Sequence, residues 1–276
     1  TYEFGGYLIW GRWPANRVLI DGRYDGILFD EALLETYIQA HQSPEALDGL
    51  THAYGVQVLV LSAKPGRGMA SLVGHPAWAR VYWDPVAEVY LRRGGLHANL
   101  IATHEYRLTG PAADMGYLAA YRRGPAMWER ALAELRRAAA ENPENVMAWL
   151  GLAQEYRAAG PAAAEQRLEA ISRAAALMAR APGLGRVYAE RAEALFQLGR
   201  LDEASAEARK ALQIQQDLLL PRSVLASVAE HRGAWTEARD QLRTILGSLE
   251  PGDARGPGIR QRLEEAERRL READAR

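Results

Sequence analysis

Cysteine is absent from the 276-residue chain. That absence removes disulfides, thiol nucleophiles, zinc ribbons and iron–sulfur clusters together, without fixing the redox compartment. No apolar run approaches the roughly 18 residues that a membrane span needs, and no basic, apolar, small-residue leader opens the chain. An excess of charge is missing as well: 34 Lys and Arg face 35 Asp and Glu, a net of -1 with His neutral. A dominant electrostatic pull of the whole chain towards nucleic acid or anionic lipid is therefore not expected. Disorder is excluded from the other side, because 48% hydrophobic and 25% charged residues is ordinary globular composition. A length of this order suggests one or two domains, enough to bury a core without staples. The chain opens on Thr1-Tyr2-Glu3-Phe4-Gly5-Gly6, without Met and inside sequence that already reads as folded. A fragment of a longer protein is the simplest expectation.

Signatures of catalysis are equally scarce. The histidines of the first half, His41, His52, His75, His97 and His104, show no close metal spacing, and no His-Glu-x-x-His is present. Lys64 to Ser71 contains Gly and Lys in the wrong order for a phosphate loop, Gly5-Gly6 lacks the later glycine of a dinucleotide fingerprint, and there is no Gly-x-Ser-x-Gly elbow. Neither a metal nor a cofactor is expected. Trp10, Trp13, Trp78 and Trp83 offer ring faces to a sugar, although packing is the commoner use of Trp. The densest polar cluster is Asp21-Gly22-Arg23-Tyr24-Asp25. If the preceding "RVLI" is a strand, its exit is where α/β sheets place ligands. Asp21 and Asp25 are then acceptors, and Arg23 a fork of donors for a phosphate or sugar. The same residues equally suit an Asp-Gly turn closed by an internal salt bridge.

What the sequence has in abundance changes along its length. Residues 1–105 hold 8 basic and 11 acidic residues, most of the aromatics and the strand-like runs. Residues 106–276 hold 26 basic and 24 acidic residues and are rich in Ala, Arg, Glu and Leu, which favour helix because they lose little rotamer freedom there. Gly110-Pro111 breaks the chain between the two, so the boundary is placed at 105/106.

In the second part Ala131, Ala170, Ala204 and Ala238 are spaced by 39, 34 and 34 residues. Each of the last three follows a large-small-large pattern: Trp149, Leu152, Ala153, Tyr156 and Gly160; Tyr188, Ala192, Leu195, Gly199 and Leu201; Leu225, Ala226, Ala229, Gly233 and Trp235. This resembles the tetratricopeptide repeat, in which small residues let helices A and B of a unit approach and larger ones fill the groove to the next. Pro143 and Pro182 close two units. Gly199 and Gly233 are expected to end helix A in a left-handed conformation. The five extra residues after Gly160 should lengthen a turn or helix, and Gly258 to Ala273 should form a charged capping helix. The resemblance implies a concave face for a protein or peptide, lined from helix A by Gln154, Arg157, Arg186, Glu190, Glu193, Gln197, Ser227, Glu230 and His231. Paired Lys and Asn for a carboxylate clamp are missing.

The first part alternates. Asp30 to His41 and Pro44 to Ala53 read as helices, the second with Pro in its first turn. Arg17 to Arg23 and Gly55 to Leu61 read as strands, and the segments around Asp84-Pro85 as a hairpin. Gly5 to Trp10 should pack under the sheet as helix or strand. The expected fold is a small three-layer α/β domain, with a parallel core and an antiparallel edge, followed by an all-α solenoid. The order "GGYLIWGRWP", "VLIDGRYD", "YGVQVLVL", "WARVYWD", "VAEVYLRR" resembles the extracytoplasmic C-terminal domain of bacterial multi-pass C-type glycosyltransferases. These are similar to oligosaccharyltransferases and to mannosyltransferases that use a lipid-linked donor. The resemblance, over residues 4–93, implies a periplasmic location, the parent's own transmembrane domain as a partner, and a reaction centre outside this chain. A non-catalytic scaffold is the leading function. A cytoplasmic peptide-binding adaptor and an enzyme with its site near Asp21 to Asp25 are the rivals.

Overall fold

The computed structural model describes residues 2–12, 14–15, 17–20, 31–64, 69–72, 74–111, 124–179 and 183–274. They form two compact units, Thr1–Ala148 and Trp149–Arg276.

The first unit begins with helix α1 (Tyr2–Arg12), α2 (Glu31–Ala40) and α3 (Pro44–Ala53). The α3 start was legible from Ser43-Pro44: Ser43 Oγ accepts the Ala46 N–H at 3.2 Å and caps the helix. Three strands follow, β1 (Val58–Ser62), β2 (Trp78–Trp83) and β3 (Ala87–Arg92), in the order β1-β3-β2. Both pairings are antiparallel. Among the described residues there is thus no parallel core, contrary to expectation. Arg17 to Ile20 lies in no strand, because a short apolar run does not by itself choose between strand and buried coil. The β2–β3 turn is built by Asp84, whose Oδ1 accepts the N–H groups of Val86 and Ala87 at 2.7 Å each.

Side chains alternate across the strands. Trp78 and Tyr90 enter one core with Leu47, Leu50, Leu61 and Leu72. Ala79 and Leu91 face the other way, onto Ile101 of the short helix α4 (Ala98–His104).

Helix α5 (Pro125–Glu141) completes this unit through one polar face. The Glu134 carboxylate accepts three consecutive backbone N–H groups, from Arg107, Leu108 and Thr109, at 2.9–3.0 Å. One turn on, Arg137 donates to the carbonyls of Thr103, His104 and Glu105 at 2.9–3.0 Å. Glu141 accepts the Tyr106 hydroxyl at 2.9 Å. Beyond the helix end, Asn142 donates to Asp84, and Asn145 to the Trp83 carbonyl at 3.0 Å. Side chains of α5 thereby satisfy an extended segment whose own backbone lacks a complete ladder partner.

The division between the units falls within α6 (Val146–Ala159). The second unit continues with α7 (Ala164–Leu177), α8 (Leu184–Gln197), α9 (Leu201–Ile214), α10 (Leu219–Arg232), α11 (Trp235–Gly247) and α12 (Gly256–Asp274). Starts of alternate helices from Leu184 to Leu219 and from Leu201 to Trp235 recur with the expected period. Ala170, Ala204 and Ala238 are fully or almost fully buried, as is Ala131 in α5. Gly199 and Gly233 follow α8 and α10 with φ of +73° and +69°, the left-handed exit that favours glycine. The extra residues after Gly160 are taken up partly by a 3₁₀ turn, Pro161–Ala163, and partly at the start of α7, where Ala170 stands seventh while Ala204 stands fourth in α9. Each helix packs on its successor from α7 to α12, and α8 also packs on α10. Pro182 lies outside the described residues.

Candidate functional site

The inner positions of α6, α8 and α10 carry the candidate groove. Spacing of three and four places Arg186, Glu190, Glu193 and Gln197 along one side of α8. Glu190 and Glu193 are half-buried between two guanidiniums. Arg157 of α6 reaches Glu190 at 2.6 Å and Glu193 at 3.1 Å. From below, Arg167 of α7 contacts Glu190, holds Glu193 at 2.7 Å and reaches the Gln197 amide oxygen at 3.4 Å. Arg157 is 43% exposed, whereas the Arg167 side chain is 1% exposed. One carboxylate pair is thus shared by an outer and an inner cation.

A second cluster closes the other end of the array. Arg262 of α12 donates to Glu230 at 2.8 and 3.0 Å and to the Ser227 hydroxyl at 2.9 Å. Arg186 and His231 are exposed, and Gln154 has its amide oxygen buried without a hydrogen-bond partner among the described residues. The structure therefore brings Arg157, Glu190, Glu193 and Gln197 together, ties Ser227 and Glu230 to the capping helix, and leaves Arg186 and His231 open to solvent. Reading from sequence missed Arg167 and Arg262. For Arg167 a signal existed: it shares a helical stripe with Ala170, Ile171 and Ala174, all buried, and an arginine on an apolar stripe calls for a buried acid.

In the first unit, Asp21, Arg23 and Asp25 lie outside the described residues. Trp78 and Trp83 are core residues and form no sugar platform, while Trp10 is exposed; Trp13 is outside the described residues. Arg80 donates to the Tyr90 hydroxyl at 3.0–3.1 Å and to the Thr109 carbonyl at 2.7 Å, and Tyr90 donates to Glu88 at 2.8 Å. Burial pushes the Tyr90 hydroxyl up to about 12, against the opposing pull of Arg80. Burial likewise raises Tyr106 to about 12, with Glu141 adding to it. For Glu105, burial alone would raise the pKa, but hydrogen bonds from Arg93 and Arg107 outweigh it and hold the carboxyl below the ordinary range. Among the described residues, no three His, Asp or Glu side chains converge as a metal site, and no helix is long and apolar enough to cross a membrane.

Comparison with solved structures finds helical-repeat proteins. The chain is similar to a thermophilic TPR protein of Thermus thermophilus, with 23% identity over 56% of this chain and 81% of that one, at a TM-score of 0.42. It is also similar to PilW, a widely conserved type IV pilus biogenesis factor, with 17% identity over 55% of this chain and 88% of that one, at a TM-score of 0.31. No protein-family model matches the chain, and no curated protein matches it. The class its own geometry defines is an all-α array of successive packed helices, in the same chain as a unit with a small antiparallel sheet.

Proposed function

We propose that this chain is a non-catalytic scaffold whose helical array holds a protein partner along the helix A side. The observation that supports this is the register of the array: buried alanines recur at Ala170, Ala204 and Ala238, and stacked repeats of that kind present an extended binding surface. This reading takes 106–276 as the array and 1–105 as the small three-layer α/β domain expected from the sequence. The order of five segments in the first part further supports a place on the extracytoplasmic face of a bacterial membrane, as the soluble portion of a glycosyltransferase-like parent. The parent's transmembrane domain would then be a second partner. The test uses photo-crosslinking residues in the full-length protein in cells. Crosslinks to one defined protein from Arg186 and His231, and none from the outward Ala206 or Arg239, are expected. Equal crosslinking from both sets would overturn the reading. Co-purification with a multi-span segment of the same polypeptide tests the membrane context.

A further inference from the structure

His75 lies between β1 and β2 with its side chain 2% exposed, and its ring has two polar neighbours that make opposite demands. On one side Nδ1 accepts the Ala77 N–H at 3.2 Å. A backbone amide can only donate, so this nitrogen is bare and the ring proton sits on Nε2. On the other side Nε2 faces Asp48 Oδ2 of α3 at 3.7 Å, beyond hydrogen-bond range. Asp48 Oδ1 is buried and has no hydrogen-bond partner among the described residues. A buried carboxylate oxygen in that condition is short of a donor.

The main chain around the ring is held on both flanks. Pro76 has its φ locked and no N–H to give, and Gly74 precedes with φ of +69°. The His75 N–H donates to the Leu72 carbonyl at 3.1 Å, and the Ala77 carbonyl accepts the Arg93 N–H at 2.8 Å. Ser71 pins the 3₁₀ turn Ala70–Leu72 to the end of α2: its Oγ donates to the Ala40 carbonyl at 2.6 Å and its N–H to the His41 carbonyl at 3.2 Å. With the backbone fixed, the imidazole is the part that can change partner. Two acids of α3 face it. Asp48 has a side chain 49% exposed, which opens the site to protons from water. Glu45 has its carboxyl below the ordinary range, held there first by the Ser43 hydroxyl, then by its own backbone N–H, and in smaller part by His75. The neighbouring 3₁₀ turn and β2 contribute backbone groups, the Leu72 carbonyl and the Trp78 N–H.

We propose that His75 is a proton-operated latch: the neutral ring holds the Ala77 N–H, and the protonated ring lets it go and binds Asp48. Protonation places a hydrogen on Nδ1, where it opposes the amide hydrogen of Ala77 and ends that bond. The same proton makes the ring a cation, and its hydrogen bond to a carboxylate is then roughly twice as strong as a neutral one. A ring movement of about 1 Å closes the gap to the distance of such a charged pair. Acid thus transfers the hold of the ring from its own turn to α3, and it leaves one backbone N–H at the start of β2 without its acceptor. The device lies wholly in the first unit and is independent of the partner proposed for the array.

The test is nitrogen-15 NMR of the full chain between about pH 8 and about pH 5, the range in which histidines report. Expected at the alkaline end is a ring with bare Nδ1 and a proton on Nε2. Through the titration the Ala77 amide proton should move upfield with the midpoint of the ring itself. Asp48→Asn should weaken proton binding to the ring about tenfold, the low end of what losing an adjacent opposite charge brings, and Glu45→Gln should weaken it less. In His75→Gln the Ala77 amide should stop responding to pH. Thermal melting shows whether each variant keeps the fold, and the Ala77 signal of the unsubstituted chain decides the matter where one does not. A proton on Nδ1 at the alkaline end, an Ala77 amide that ignores the ring, or a midpoint unmoved by Asp48→Asn overturns the proposal. So does a ring that stays neutral until the chain unfolds.

Discussion

Arg167 and Arg157 share the same two carboxylates but stand in different solvents, and that difference sets their worth. The buried guanidinium has exchanged its hydration for Glu190, Glu193 and Gln197. Removing it as Arg167→Met leaves two acids facing one cation, a loss of about 3–5 kcal/mol by the usual cost of breaking a buried pair. Arg157→Met removes a partly exposed pair, worth about 0–1 kcal/mol. Urea denaturation should separate the two variants clearly, and equal midpoints would show that Arg167 is not the keystone of the cluster. Ala204 poses a steric question of the same size. It is fully buried in one cluster with Ala192, Leu195 and Val224, whereas Ala206 is exposed. Ala204→Leu should overpack that helix pair and cost roughly 1–3 kcal/mol. Ala206→Leu should change stability by a few tenths at most, about the surface norm. The comparison is a direct measurement of the repeat register.

Between elements, the decisive contacts are those that bind the segment around Glu105 to α5. Glu105 is held below its ordinary pKa of 4.5 by Arg93 and Arg107, which overcome the cost of its burial. A depressed folded pKa means that the stability it contributes is complete above about 4.5 and is lost as pH falls through the lower folded value. The first unit is therefore expected to weaken on acidification below that point, and Glu105→Gln should flatten this part of the pH profile, read by near-ultraviolet dichroism. Little of this was legible beforehand. The Ser43-Pro44 start of α3 and the Asp84-Pro85 hairpin were readable because capping and turn chemistry act over a few residues. The buried alanines were readable because a repeat amplifies a faint pattern. Glu134 meeting the backbone of 107–109, and Arg167 meeting Glu190 and Glu193, join residues more than twenty positions apart. Local periodicity holds no record of such distances. The antiparallel pairing of β1 with β3 escaped for the same reason: strand direction is chosen by the partner, and "VLVL" fits either sense.

At the scale of the whole molecule the two units are stabilised by different chemistry, so alkali should reach them differently. Tyr90 and Tyr106 of the first unit stay protonated to about 12 because burial opposes their charge. Their folded values lie above the ordinary 10.0, so the stability they hold is complete below that pH and disappears as pH rises towards 12. Tyrosinate absorbance should lag for these two residues and then appear together with exchange of the sheet amides, while the array keeps its protection. Simultaneous exchange of both units would contradict this.

Helix α12 has so far figured as a cap and as the source of Arg262. It also covers Ala229, Ala238 and Trp235 with Ala266, on the side where a further repeat would stack. A surface made to receive a helix does not distinguish a helix of its own chain from one of a neighbour. Without α12, head-to-tail addition would have no symmetry to close it, and such contacts propagate as fibres rather than dimers. Deleting residues 249–276 is expected to convert discrete particles into open-ended polymers, visible as light scattering that climbs with concentration. The charged outer side of α12 is in this sense a chain terminator for assembly.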